Sequence, residues 1–345
     1  MQPLAIINAR AAARREIGGV ERWTREVTGR LTALRPEGYV VAQPPPSLAH
    51  RTGHVWEQLV LPVLAARRRA AVVVSPANLA PLAWGRNVLV VHDVSTLRHP
   101  EWYGRAYAAW QHRLLPALVR RAARVVTVSE FSRAEIAAAT GVDARAVAVV
   151  PGGVDERFAP DASADGARAA LGLARPYVLT VATQGARKNL GALGPAAKAL
   201  ARRGVDLVAA GGRRDYLPGD DAAPGIRALG YVEDALLPGL YAGAAAFVLA
   251  SRYEGFGLTC LEAMAAGVPV VAADAGALPE TCGDAALLAD PDDTGAITSA
   301  VMSCVEDAPL AERLRAAGRE RARAFTWNRT ARELDAVVRE AVGRA

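Results

Sequence analysis

At 345 residues the chain is too long for one ordinary α/β domain and sufficient for two, with 52% hydrophobic residues to fill their cores. No apolar run reaches the ~20 residues that cross a bilayer. Residues 1–8 lack a basic stretch before their short apolar run, so they read as a buried strand rather than a signal peptide. Cys260, Cys282 and Cys304 have no CxxC spacing and cannot all pair, which fits a reduced, cytoplasmic setting and excludes a disulfide scaffold.

The net charge of +6 is uneven. Residues 1–160 carry 21 Arg against 12 acidic residues, a net +9, and the remainder carries −3. A basic half points to an anionic partner, such as a lipid surface or a phosphorylated acceptor, or to a solvated Arg-rich surface. Charge alone does not separate these, and no nucleic-acid partner is expected.

In chain order, strands are predicted at 4–8, 39–42, 71–74, 88–91, 124–128 and 147–150. These are continuous apolar runs, the pattern of parallel strands covered on both faces. Helices fill the gaps at about 20–34, 103–122 and 131–139, and Ser132 with Glu135 reads as a capping box on the last. Pro44–Pro46 is the single low-complexity run. The turn Pro151-Gly152-Gly153-Val154-Asp155 and the small, polar stretch 160–166 mark an interdomain linker. Alternation resumes with strands at 177–181, 206–210, 226–229, 246–250 and 268–272, and residues 292–345 read as helical. The fold class is therefore α/β, with two doubly wound Rossmann-like domains, whose ligands bind beyond the carboxyl ends of the strands.

The richest stretch is Tyr253-Glu254-Gly255-Phe256-Gly257-Leu258-Thr259-Cys260-Leu261-Glu262. A strand ends near Ala250, Glu254 follows on a loop, and a helix begins at Leu258 after two glycines. Glycines let backbone N–H groups approach a ligand, and the helix N-terminus adds unpaired donors and the positive dipole end, as a diphosphate site requires. Glu254 is placed to accept from sugar hydroxyls, and Glu262 from both hydroxyls of a ribose. A lone glutamate is more often a solvated surface residue. Two of them flanking two glycines at a strand-to-helix junction are far more specific.

These residues resemble the donor signature of the retaining GT-B glycosyltransferases of family 4 (glycosyl transferases group 1). That signature is Glu, seven residues, then Glu, matched by Glu254 and Glu262 with the glycine-rich start Gly255, Phe256, Gly257 and Leu258. In the family the first Glu contacts the donor sugar, the second the ribose, and the amides between them the diphosphate. The likeness extends to Arg187-Lys188-Asn189-Leu190, whose cations are placed to neutralise the departing nucleoside diphosphate. A cation pair at a plain helix start would oppose the macrodipole. Where many members carry Gly-Arg this chain has Ala182-Thr183, so one phosphate cation is missing or is supplied by Arg187. Tyr231 and Val232 lie in a segment resembling the nucleobase loop, with an ordinary strand-to-helix turn nearly as good a reading. Gly18 and Gly19 resemble the N-terminal glycine loop near donor phosphates and acceptor, although glycine pairs are common in turns.

His92-Asp93-Val94, after a strand, resembles the mannosyltransferase-like branch. There His92 bonds a donor hydroxyl or receives charge near the anomeric centre, and Asp93 orients the imidazole or caps the loop. A structural histidine bonded to a neighbouring carbonyl is the competing reading. Residues 128–133, 150–155 (the hinge region) and Phe325-Thr326-Trp327 also match family segments.

The resemblance implies a GT-B architecture: an acceptor domain at 1–158, a nucleotide-sugar domain at 159–325, a central cleft, and a final helix at 326–345 crossing back onto the first domain. It implies a retaining hexosyltransferase with catalytic His92, Lys188, Arg187 and Glu254. The nucleoside-diphosphate sugar, GDP-mannose favoured, would be bound by Gly18, Gly19, Arg187, Lys188, Tyr231, Val232, Glu254, Gly255, Phe256, Gly257, Leu258 and Glu262. No cofactor and no metal site are expected: the five histidines are scattered along the chain. The acceptor would be a glycan, a lipid-linked precursor or a natural product, with peripheral contact at an anionic membrane's inner face. A sugar-nucleotide epimerase, or a transferase using a UDP-, dTDP- or ADP-sugar, is the alternative. A nicotinamide dehydrogenase is excluded because Cys260 stands where the third glycine of GxGxxG belongs.

Overall fold

The computed structural model describes residues 4–45, 48, 53–212 and 224–343. The end of the low-complexity run, Pro46, lies outside them. The chain forms two compact units. The first comprises Met1–Arg98, Ala108–Gly153 and Thr326–Ala345; the second comprises His99–Tyr107 and Val154–Phe325.

In the first unit, strands β1 (Ala5–Asn8), β2 (Tyr39–Ala42), β3 (Val72–Ser75), β4 (Asn87–Val90), β5 (Arg124–Thr127) and β6 (Val147–Val149) form one parallel sheet, ordered β2-β1-β3-β4-β5-β6. Every residue of β1, β3 and β4 is buried, as strands covered on both faces must be. Its helices are α1 (Gly19–Leu34), α2 (Gly53–Arg67), α3 (Ser95–Arg98), α4 (Arg105–Arg121, entering from the second unit's segment) and α5 (Glu130–Thr140).

The expected capping box at Ser132 and Glu135 is corrected. Ser129 is the N-cap of α5, and its hydroxyl accepts from the Ser132 amide at 3.0 Å. Ser132 Oγ instead donates to the His92 carbonyl at 3.1 Å, and Glu135 pairs with Arg98 at 3.0 Å. The helix starts one residue earlier than expected because Ser129 holds the extended backbone that an N-cap needs.

In the second unit, α6 (Ala164–Ala170), β7 (Tyr177–Val181), α7 (Gly194–Ala201), β8 (Asp206–Ala210), β9 (Ile226–Gly230), α8 (Leu237–Ala242), β10 (Ala246–Leu249), α9 (Leu258–Ala265), β11 (Val270–Ala273), α10 (Leu278–Cys282), β12 (Ala286–Ala289), α11 (Thr294–Glu306) and α12 (Ala308–Arg323) follow in order. The parallel sheet runs β12-β11-β10-β7-β8-β9. Counted from its own first strand, this is the doubly wound order 3-2-1-4-5-6, with its switch point between β7 and β10. Adjacent residues of one strand feed opposite cores: Leu179, Phe247 and Val270 enter one, Val178, Val248 and Val271 the other.

The chain then returns to the first unit as α13 (Trp327–Gly343). This helix packs on α1, β3 and β5, burying Trp327, Leu334 and Val338. Gly153 makes the junction possible, since a Cβ there would lie 2.2 Å from the Trp327 amide nitrogen. Among the described residues, no helix is long and apolar enough to cross a membrane.

Candidate donor site

The residues of greatest chemical interest gather where β7 and β10 part company. At a doubly wound switch point the loops after two neighbouring strands turn to opposite faces and leave a crevice at their carboxyl ends. Arg187 and Lys188 follow β7 on a short 3-10 turn, and Glu254 follows β10. Lys188 Nζ and Glu254 Oε1 form an ion pair, both side chains nearly buried. Burial alone would raise the Glu254 carboxyl. The charges of Lys188 and Arg187, with the Lys188 hydrogen bond, outweigh it and hold the group below its ordinary value. Sequence reading gave these residues separate partners; the fold also joins them to each other.

Two neighbours fix this pair. Asn189, in the left-handed region at φ 55°, donates through Nδ2 to the Ala250 carbonyl at 3.1 Å and to the Pro291 carbonyl at 2.7 Å, so it ties the β7 loop to the end of β10. Gly276, at φ 61°, lies against the backbone of Glu254: a Cβ there would approach Glu254 N and O to 2.7 Å. The Ala277 amide donates to the Glu254 carbonyl at 2.9 Å.

Beyond Glu254, residues Gly255 and Phe256 lead to Gly257, whose φ of 97° and ψ of 39° turn the chain into α9. Leu258 opens this helix, as expected from sequence. Helix start and glycines present backbone N–H groups in the geometry suited to an anion. Glu262, the fifth residue of α9, is 3% exposed and accepts from the Tyr241 hydroxyl at 2.9 Å. Neither Tyr241 nor Gly276 was legible as a site residue, because each reaches the site from a distant segment and carries no motif. Tyr231 and Val232 follow β9. Tyr231 is 40% exposed, whereas Val232 is buried in the same apolar core as Tyr241.

In the first unit, Gly18 caps α1 in extended conformation, and its N–H donates to the Glu21 carboxylate at 3.1 Å. Gly19 begins the helix, and a Cβ there would meet open space. His92 follows β4 and is buried. Its Nε2 lies 2.8 Å from the Pro76 carbonyl, an acceptor, so Nε2 carries the proton and Nδ1 the lone pair. Trp23 of α1 meets the ring edge-on at 5.3 Å, which brings the Gly18–Gly19 turn and His92 into one neighbourhood. Burial lowers the imidazole pKa against the opposing pull of Pro76, Asp93 and Glu21. Asp93 caps the loop by accepting from the Ser95 amide at 3.0 Å.

Known proteins match along the chain. Residues 175–307 match the family described as glycosyl transferases group 1, and residues 17–158 match Glycosyltransferase Family 4. The O-antigen chain mannosyltransferase B of Escherichia coli is 34% identical over 255 residues, 70% of this chain and 67% of that protein. A GDP-mannose-dependent alpha-(1-6)-phosphatidylinositol monomannoside mannosyltransferase of Mycobacterium tuberculosis is 28% identical over 92% of this chain and 93% of its own length. Other curated relatives are spanned less fully, a mannosylfructose-phosphate synthase of Agrobacterium fabrum over 25% of its length. The solved sucrose-phosphate synthase of Thermosynechococcus elongatus superposes with a TM-score of 0.79 at 20% identity, covering all of both chains, a likeness of GT-B fold. The two six-stranded parallel sheets, the glutamates eight apart around a glycine-bounded helix start, and these matches together identify the chain as a member of glycosyltransferase family 4, a mannosyltransferase-like glycosyltransferase of the group 1 type.

Proposed function

We propose that the chain transfers mannose from GDP-mannose to a lipid-linked glycan acceptor, with retention of anomeric configuration and without a metal ion. The observation that carries this reading is the Lys188–Glu254 pair at the switch point beside the start of α9. The mannose assignment leans on the two mannosyltransferase relatives, and the acceptor on the lipid substrate named for the mycobacterial one.

In this reading residues 159–325 hold the donor, residues 1–158 the acceptor, and 326–345 is the returning helix. Glu262 accepts from the ribose hydroxyls and Glu254 from hydroxyls of the sugar. Tyr231 and Val232 cradle the base through backbone groups. The amides from Gly255 to Leu258 hold the diphosphate. When the C1–O bond to phosphate breaks, the negative charge develops on a diphosphate oxygen, where Arg187 and Lys188 stabilise it in place of a divalent ion. The acceptor hydroxyl oxygen bonds to C1 on the same face, and its proton passes to the departing phosphate oxygen. His92 accepts a hydrogen bond from a donor hydroxyl through Nδ1, its basic nitrogen, and the Gly18–Gly19 turn serves the donor phosphates and the acceptor.

The test is a thermal-shift screen against GDP, UDP, dTDP and ADP and their sugar conjugates, with EDTA, followed by radiolabel transfer from the best donor. Ligands that bind the native state alone raise its melting temperature. A selective GDP shift, lost in Lys188→Ala and Glu262→Ala, is the expected result. A selective shift with another nucleotide overturns the mannose assignment, and no shift with any overturns the donor site. Release of free sugar or an epimer without acceptor would favour epimerase chemistry.

A further inference from the structure

The stretch His99–Tyr107 lies in the first half of the sequence, yet it belongs to the second unit. It opens with a 3-10 turn over Pro100–Trp102, in which the Trp102 amide donates to the His99 carbonyl at 3.2 Å. In such a turn, side chains three apart eclipse one another. His99 and Trp102 are three apart, and their rings stack at 3.9 Å with 12° between the planes. Tyr253 meets both rings edge-on, His99 at 5.8 Å and Trp102 at 6.5 Å.

Tyr253 is 4% exposed and immediately precedes Glu254, the group given above to the donor sugar. The stack itself is not sunk in the core. The His99 side chain is 38% exposed, that of Glu101 61%, and Trp102 is half-buried. Rings needed for cohesion alone would be buried, as Tyr103 is one residue further on. The stack is also rigid. Pro100 fixes the turn, Tyr253 backs both rings, and His99 Nδ1–H donates to Glu101 Oε1 at 3.1 Å, so Nε2 of the neutral ring is the acceptor.

A flat aromatic surface bordered by hydrogen-bond acceptors is complementary to a sugar. A pyranose presents C–H bonds on one face and hydroxyls around its rim. The C–H face covers an aromatic ring, and the hydroxyls donate to an imidazole nitrogen or a carboxylate. Position selects which sugar. Glu254, assigned to the donor, is buried and paired with Lys188. The half-exposed stack comes from within residues 1–158, the part given to the acceptor, and suits a second sugar arriving from solution.

We propose that His99 and Trp102 form a stacking platform for a hexopyranose residue of the acceptor, with Glu101 accepting from its hydroxyls. The proposal rests on the transferase reading and deepens it: the reacting end of the acceptor is a sugar rather than a bare lipid or an aromatic aglycone.

The experiment is saturation-transfer NMR on the purified full chain, with and without GDP, using the methyl glycosides of mannose, glucose, galactose and N-acetylglucosamine as probes. It needs no turnover. At least one glycoside is expected to receive saturation at its ring C–H protons. Trp102→Ala and His99→Ala should each weaken its binding at least about tenfold, and Trp102→Phe should restore most of it. Melting temperature and GDP affinity in calorimetry should match the wild type in all three. If Trp102→Ala fails to fold, His99→Ala, at a partly exposed position, carries the comparison. No saturation of any glycoside by the wild type, or saturation indifferent to His99→Ala, overturns the proposal. Equal loss of GDP and glycoside binding in His99→Ala also overturns it, because the stack would then act only by bracing Tyr253 and Glu254. Glycoside binding that depends on His99 in a chain that does not bind GDP supports this site and sinks the nucleotide assignment instead.

Discussion

The Tyr241 hydroxyl donates a 2.9 Å hydrogen bond to Oε2 of Glu262, joining α8 to α9 inside the second unit. The bond turns a carboxylate that would otherwise be costly to bury into a fixed acceptor. Tyr241→Phe removes that donor and keeps the ring, which packs against Phe158 and Phe247. The expected result is about 1–2 kcal/mol lower stability in urea unfolding and roughly tenfold weaker nucleotide binding in calorimetry. Unchanged affinity would separate the bond from ligand recognition.

Gly276→Ala should be more damaging than any ordinary loop substitution. The new Cβ would press on Glu254 N and O at 2.7 Å, and φ at this position is 61°. Backbone cannot yield as a flexible side-chain end can, so Glu254 must shift away from Lys188. A cost of about 1–3 kcal/mol and turnover reduced at least about tenfold are expected. Gly276→Ser with wild-type kinetics would sink the argument.

His92 makes stability depend on pH in a calculable direction. Burial holds the folded imidazole below its ordinary 6.5. Below 6.5 the unfolded chain takes up a proton that the folded chain refuses, so stability falls with falling pH until the folded ring titrates. Above 6.5 both states are neutral and the dependence vanishes. Urea midpoints at pH 7.5 and 5.5 should therefore differ more in the wild type than in His92→Asn, by up to about 1.4 kcal/mol per pH unit. Equal differences would show that another group is responsible.

Asp335 organises the return of the chain. Its Oδ1 accepts from the Tyr39 hydroxyl and from Arg35 Nε, each at 2.8 Å, and its Oδ2 faces Arg339 at 3.2 Å. Burial, then the hydrogen bond to Asp335, pushes the Tyr39 phenol far above its usual range. Asp335→Asn keeps an acceptor and the shape but loses the charge. A loss of about 2 kcal/mol, read as a melting temperature lower by roughly 4–8 °C, is expected. A shift under 1 °C would mean the helix is held by Trp327 and its apolar neighbours alone.

The strands were legible because parallel strands covered on both faces are written as unbroken apolar runs. Tyr177–Val181 and Asp206–Ala210 coincide with their sequence-based limits. β12 was not found: Ala286-Leu287-Leu288-Ala289 favours helix locally, and as a half-exposed edge strand it is fixed by pairing with β11. Helix α2 escaped because two apolar faces and Pro62 erase the helical period. In the candidate site, the spacing of Glu254 and Glu262 and the cation pair after β7 are visible in the sequence itself. The bond from Tyr241, the contact of Gly276 and the tether of Asn189 depend on which strands are neighbours, and no local pattern records that.

The membership of α13 in the first unit has a consequence for biosynthesis. All residues of the second unit lie between 99 and 325, so its chain is complete before the last helix is made. The first unit, begun at the N-terminus, still lacks Trp327, Leu334 and Val338 at that moment. At about 5–20 residues per second on the ribosome, its sheet waits seconds longer with one apolar face open. The half synthesised first is thus finished last. A premature stop near codon 326 would spare every residue of the second unit yet leave the first exposed to chaperones and proteases.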